Sequence, residues 1–221
     1  MSLTSRKKRP LVRDQKDYRD DRLFIIASDD TFAPKQYFDA FEIPRIKVVV
    51  VPTTDGSSAA PHVLSRLDQF DVEEDDERWM LLDTDHYIQP NHAATFLQAI
   101  TEARQKGIEV ALSNPCFDFW LLLHHLEADA DLSIITDAKS VGVELRKKLG
   151  AFDKTKLNPT NFPLSAVAHA CSIARAMDIS VGGGNRPEGP TSRVYKLWES
   201  IVSKTPRVQL PQELVLVRND E

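Results

Sequence analysis

Cysteine is scarce. The 221-residue chain has two, Cys116 and Cys171, far apart and in no C-x-x-C pair. This argues against a disulfide framework or a structural zinc site and predicts two buried thiols. Long apolar runs are also missing: none approaches the roughly 18 residues that a membrane-spanning helix needs. The basic opening MSLTSRKKRPLVRD has no apolar segment behind it, so it does not read as a secretory signal. The expected setting is cytoplasmic, with no membrane partner. Excess positive charge is absent too. A formal net charge of −5 argues against broad electrostatic coating of nucleic acid, although a local basic strip on an acidic protein still binds phosphate. The glycine-rich VGGGN lacks the G-x-x-x-x-G-K-S/T spacing of a nucleotide P-loop, so any ATP hydrolysis is expected from a partner. There is no internal repeat.

What is present is a composition that builds a core, 42% hydrophobic over one sizeable domain's length. Residues 1–20 are charged and aperiodic and read as a flexible basic arm, whose RKKR either touches nucleic acid or is simply solvated. From there RLFIIAS, RIKVVVVP, RWMLLD and IEVALS have strand-like lengths and near-continuous apolarity, as strands covered on both faces require. Between them KQYFDAFE, AAPHVLSRLDQF and NHAATFLQAITEARQKG repeat apolar residues at spacings of three and four, as amphipathic helices do. Gly107 is the expected stop of the last. Strand and helix in alternation imply an α/β fold, a mostly parallel sheet flanked by helices. After Ser113, CFDFWLLLHHLE, AKSVGVELRKKLG, FPLSAVAHACSIARAMD and TSRVYKLWESIVSK all read as helices. The expected organisation is an α/β core over 21–127 and a mainly helical C-terminal layer over 128–221, without a clear linker.

Acidic residues concentrate at two strand ends. Asp29 and Asp30 follow the first strand, and Asp83 and Asp85, in LLDTDHY, follow the third. In a parallel sheet both pairs project from the carboxyl edge, where ligands gather. Converging carboxylates repel one another unless a cation sits among them, and hard oxygen donors suit Mg²⁺ or Mn²⁺. A turn immediately after Asp83 is needed for Asp83 and Asp85 to reach one ion. The alternative is local: Asp83 ends its strand and Asp85 caps a helix near Asn91, although Asp85 lies too far from Asn91 for that. Haloacid-dehalogenase-type phosphatases also carry a strand ending in D-x-D, but on their first strand; here two strand-helix units precede it.

In order, FIIASDDTFAPKQYF, PTTDGSSAAPHVLSRL, MLLDTDHY and SNPCFDFWLLLHH resemble the RloB-like family, whose core is similar to the TOPRIM domain of topoisomerases, primases and OLD-type nucleases. The resemblance runs over residues 22–204. Its most specific part is SNPCFDFWLLLHH, against the family pattern S-N-P-x-F-E-x-W-L-L-L-H. It implies a TOPRIM-like (Rossmann-like) core and a Mg²⁺- or Mn²⁺-dependent nuclease acting on tRNA or DNA. It also implies an effector role in anti-phage defence by abortive infection, beside an ABC/AAA-type ATPase of the RloA kind. The sequence leaves open whether the chain forms a homo-oligomer. Asp83, Asp85 and Asp29 would be the catalytic and metal-binding residues, Asp29 as a further ligand or as the general acid/base.

The chain departs from the family's first motif, E-G-x-x-T-E-x-x-Y-F. Aligned on Tyr37 and Phe38, Asp29 stands for the leading Glu, Asp30 for Gly and Pro34 for the second Glu; Asp118 replaces the Glu of F-E-x-W. Each Glu-to-Asp exchange shortens the carboxylate's reach by about 1.5 Å, and a displacement of about 1 Å can cost roughly 100-fold in rate. A catalytically degenerate module that binds its ATPase partner or nucleic acid without cleavage is therefore the second reading.

Around the centre, Asp30, Asn114, Asp118 and His86 are candidates to orient the metal or contact phosphate. For Asn114 the alternative is helix capping, with Ser113 or Asn114 as cap and Pro115 at the first helical position. For His86 it is an exposed loop histidine. His124 and His125 follow the buried FWLLL face and read as core. Lys147 and Lys148, after Arg146, with Lys154 and Lys156 beyond, form the densest basic region of the body. They either follow a nucleic-acid backbone or make a solvated face.

Overall fold

A computed structural model of the chain describes residues 21–54, 56–85, 90–127 and 130–218. The basic arm expected over 1–20 lies outside them, as does His86. Strand β1 (Arg22–Ser28) is flanked by β2 (Ile46–Val51) and β3 (Glu77–Asp83), and β4 (Glu109–Asn114) joins beyond β3, all parallel. A fifth strand, β5 (Thr191–Ser192), closes the edge antiparallel to β4, giving the order β2-β1-β3-β4-β5. The fold is α/β, a mostly parallel sheet between helical layers.

The continuous apolarity of the strands has a direct cause in two cores. Alternate residues face opposite sides, so Phe24, Ile26, Trp79 and Leu81 enter one core while Ile25, Ala27, Met80 and Leu82 enter the other. The second core is closed by helices α2 (Ala60–Leu67) and α3 (Pro90–Gln105). These contribute Ala60, Val63, Leu64 and Leu67, and Phe96, Ala99, Ile100 and Ala103, at helical spacing. Gly107, at φ +67°, reverses the chain after α3 as expected.

The first core is closed by α1 (Ala33–Phe38), α4 (Phe117–Leu123), α5 (Ala138–Leu149), α6 (Val167–Ser180) and α7 (Val194–Lys204). The helices after residue 127 thus share one core with β1, β3 and α1. At its centre Tyr37 packs edge-on against Phe117, Trp120 and Trp198, and its hydroxyl meets His124 Nε2 at 3.1 Å. Phe119 and Trp120 to Leu123 are fully buried. Burial pushes His124 down to about 3, so it is neutral at physiological pH. Cys116 and Cys171 are buried free thiols.

Two helical expectations need correction at their starts. In TSRVYKLWESIVSK the first two residues form β5, where the Ser113 and Ser192 hydroxyls meet at 2.9 Å; a two-residue strand is too short to carry a period. In FPLSAVAHACSIARAMD the helix begins at Val167, after a short 3-10 turn over Leu164–Ala166.

Candidate active site

The chain runs from β1 outward to β2 on one side, then returns to place β3 on the other. The carboxyl ends of β1 and β3 therefore bound the sheet's switch point, where diverging loops open a crevice. Asp29 follows β1 and Asp83 ends β3. Asp29 Oδ2 accepts from the Asp83 amide at 2.9 Å, which ties the two strand ends together. The chain turns at once after Asp83, because the Thr84 and Asp85 amides both donate to Pro115 O at 3.1 Å. Asp83 Oδ1 in turn accepts from the Phe117 amide at 2.8 Å. It thus caps α4, whose own cap residue, Cys116, makes no side-chain capping bond. Asp30 Oδ1 accepts from the Phe32 and Ala33 amides at 2.6 and 3.0 Å, opening α1.

Asp29, Asp30, Asp83, Asp85 and Asp118 line one cavity of about 300 Å³, with Thr53, Ser58 and Lys154 among its other walls. Lys154 Nζ lies 3.5 Å from Asp30 Oδ2. Burial pushes Asp29 up to about 8, with Asp30 and Asp85 adding repulsion. Burial also raises Asp83 well above the usual carboxylate range, and Asp29 and Asp85 raise it further. Burial lifts Asp118 to about 6 against the pull of Lys154. Burial works against the Lys154 ammonium, but Asp30 and Asp118 outweigh it and hold its pKa up. The cluster is short of positive charge.

Whether it suits a divalent ion can be judged from its donors. Among the described residues no three His, Cys, Asp or Glu side chains are grouped closely enough to hold one ion. Mg²⁺, however, typically takes one or two carboxylates and keeps several waters. Asp29 and Asp83 each commit one oxygen to an amide and retain the other, and Asp118 Oδ1 is buried without a hydrogen-bond partner. The donor chemistry fits a hard cation held by two carboxylates and water.

The model of the family described as RloB-like protein matches residues 24–201, from within β1 to within α7. The chain belongs to the RloB-like family. No curated protein and no solved structure matches it. The match takes in both acidic strand ends, α4 and Lys154 of this RloB-like protein.

The remaining candidates are spread over four places. Asp30, Asp118 and Lys154 stand at the acidic cavity. Lys147 and Lys148 are exposed in the last turn of α5, where cations complement the helix dipole, and Lys147 Nζ pairs with Glu144 at 2.5 Å. Lys156 borders a separate hollow beside Phe152 and Phe162. Asn114 neither caps α4 nor lines the acidic cavity. Its peptide to Pro115 is cis, the helix starts at Phe117, and its Nδ2 donates to Pro187 O and Gly189 O at 3.0 and 2.9 Å. Asn114→Ala is expected to cost about 1–2 kcal/mol and to speed amide exchange in residues 184–190 more than elsewhere; uniform exchange would count against this anchoring role.

Three residues at or behind the cavity escaped the sequence reading. Arg66 donates to Ser28 O at 2.8 Å and to Thr53 Oγ1 at 2.7 Å, bracing the ends of β1 and β2. Gln36 binds the Lys154 loop twice, Nε2 to Lys154 O at 3.2 Å and Oε1 from the Leu157 amide at 2.9 Å. Thr53 donates to Ser28 O at 3.0 Å. Their only signal was that PTTDGSSAAPHVLSRL and FAPKQYF belong to the resemblance.

Proposed function

We propose that the acidic edge is a Mg²⁺- or Mn²⁺-dependent phosphodiesterase centre of TOPRIM type. On this reading the protein is a nuclease, the effector of an anti-phage abortive-infection system that works with an ABC/AAA-type ATPase of the RloA kind. The observation that carries the reading is the gathering of five carboxylates from β1, β3 and α4 around one cavity at the switch point. Membership of the RloB-like family supports the partner and the setting. Asp83 and Asp85 would hold the ion, with Asp29 beside them; when bound, it supplies Lewis-acid stabilisation of a phosphodiester and a more acidic water. Asp29 is a ligand when ionised and a general acid when it keeps the proton that burial favours. Lys154 meets a phosphate oxygen and offsets the repulsion between an acidic edge and an anionic strand.

A catalytically degenerate module that binds the ATPase or nucleic acid without cutting is the second reading. It draws on the absence, among the described residues, of three grouped donors, and on the extra charge of Asp30. The deciding experiment incubates the protein, with and without its ATPase, with RNA and DNA in Mg²⁺, Mn²⁺ or EDTA. Cleavage that needs the divalent ion and is lost in Asp85→Asn is expected. Binding that persists in EDTA, with no cleavage under any condition, selects the degenerate module.

A further inference from the structure

A second cavity, of about 600 Å³, lies beside the acidic one at the same edge of the sheet. The two share a wall. Thr84 lines the larger cavity while its neighbours Asp83 and Asp85 line the acidic one; Pro115 and Cys116 divide in the same way, as do Thr136 and Ala138. The larger cavity has two unlike sides. Phe96 and Leu97 of α3, with Ile135, make an apolar side, and the loop carrying Asn185, Arg186 and Glu188 makes a polar one.

That loop is held in place by the half-buried Asn114 and the buried Arg193. Asn114 Nδ2 fixes Pro187 O and Gly189 O, and Arg193 Nη1 fixes Gly184 O. Arg193 Nε is itself bound to Asp178 Oδ1 at 2.8 Å, with both side chains under a tenth exposed. Asp178 also accepts from the Tyr195 hydroxyl at 2.9 Å. A buried ion pair contributes little net stability in itself. Here it positions the guanidinium that binds Gly184 O, and so holds the start of the loop at the cavity.

We infer that this cavity receives the nucleoside adjoining the scissile phosphate, so that the substrate is a strand single-stranded or locally unpaired at the cleavage point. The inference rests on the phosphodiesterase reading of the acidic centre. Its volume falls in the range of preformed ligand sites. The apolar residues suit the face of a base, and the amide, guanidinium and carboxylate of the loop suit its hydrogen-bonding edge. A base within a duplex cannot enter the pocket without leaving the stack, and that cost makes an unpaired base the favoured occupant.

The test measures binding of a fluorescein-labelled strand of about 12 nucleotides to the full-length protein in Ca²⁺, single-stranded and as its duplex, with free nucleoside monophosphates as competitors. Ala93→Trp and, separately, Leu97→Trp fill the cavity from α3, away from the carboxylates. The expected result is a single strand held about tenfold tighter than the duplex, and a loss of about tenfold in either variant, with Mn²⁺ binding unchanged. Equal binding of the two strand forms, unaltered affinity in both folded variants, or a free monophosphate that binds as tightly as the strand overturns the inference. So does a wild type that binds no strand. Mn²⁺ binding that survives such a failure leaves the phosphodiesterase reading standing, and its absence removes both.

Discussion

Replacing Asp83 by Asn is expected to abolish divalent-ion binding and to lower metal-dependent cleavage by about 1000-fold or more, while the protein stays folded. The oxygen of Asn still accepts from the Phe117 amide, so α4 keeps its cap; the charge that would hold the ion is gone. Asp83→Ala removes both, and the uncapped, buried amide should cost a further ~1–3 kcal/mol of stability. Urea denaturation of the two variants beside single-turnover cleavage separates the roles. Loss of activity in Ala alone, with Asn active, would make Asp83 a structural cap and no ligand.

The second large effect concerns Asp29. Asp29→Asn is expected to stabilise the metal-free protein at alkaline pH while removing activity. Its carboxyl is pushed up to about 8 in the folded state, chiefly by burial. A carboxyl raised on folding binds its proton more tightly in the native state, so its stabilising contribution is full below pH ~4 and is lost as pH rises through about 8. Asn keeps the bond to the Asp83 amide without the buried charge. A pKa displacement of this size sets an upper bound of about 6 kcal/mol. Relaxation and water entry leave a fraction of that, so a gain of ~2 kcal/mol at pH 8.5, or roughly 4–8 °C in Tm, is expected. Thermal unfolding across pH 5 to 9 in EDTA checks it. The difference between variant and wild type should grow with pH and shrink when Mn²⁺ is added to the wild type; a constant difference would mean that Asp29 is not titrating there.

The strands and their direction were legible because each is buried on both faces and reads as an unbroken apolar run: RLFIIAS is β1 residue for residue. The helices of the second core were legible from spacing, as with Val63, Leu64 and Leu67. The meeting of Asp29 with Asp83 was legible from topology alone, since parallel strands bring all their carboxyl ends to one edge. What the sequence could not carry was the use each side chain makes of its backbone surroundings. Asn114 sits in a capping pattern, yet the chain runs two residues further before α4 starts at Phe117, and its amide is spent on the 187–189 loop. Lys154 lies 124 positions from Asp30, and no local pattern joins them. The two-residue β5 has no periodicity to read.

The most direct test of the carboxylate cluster as a cation site is a calorimetric titration of Mn²⁺ into the wild-type protein at pH 7.5, in two buffers of different ionisation enthalpy, beside Asp83→Asn. Because burial favours a proton on Asp29 that an ion must displace, saturable binding with proton release is expected, with an apparent enthalpy that changes between buffers and a signal absent from the variant. No binding by the wild type, or equal binding by the folded variant, would contradict the account.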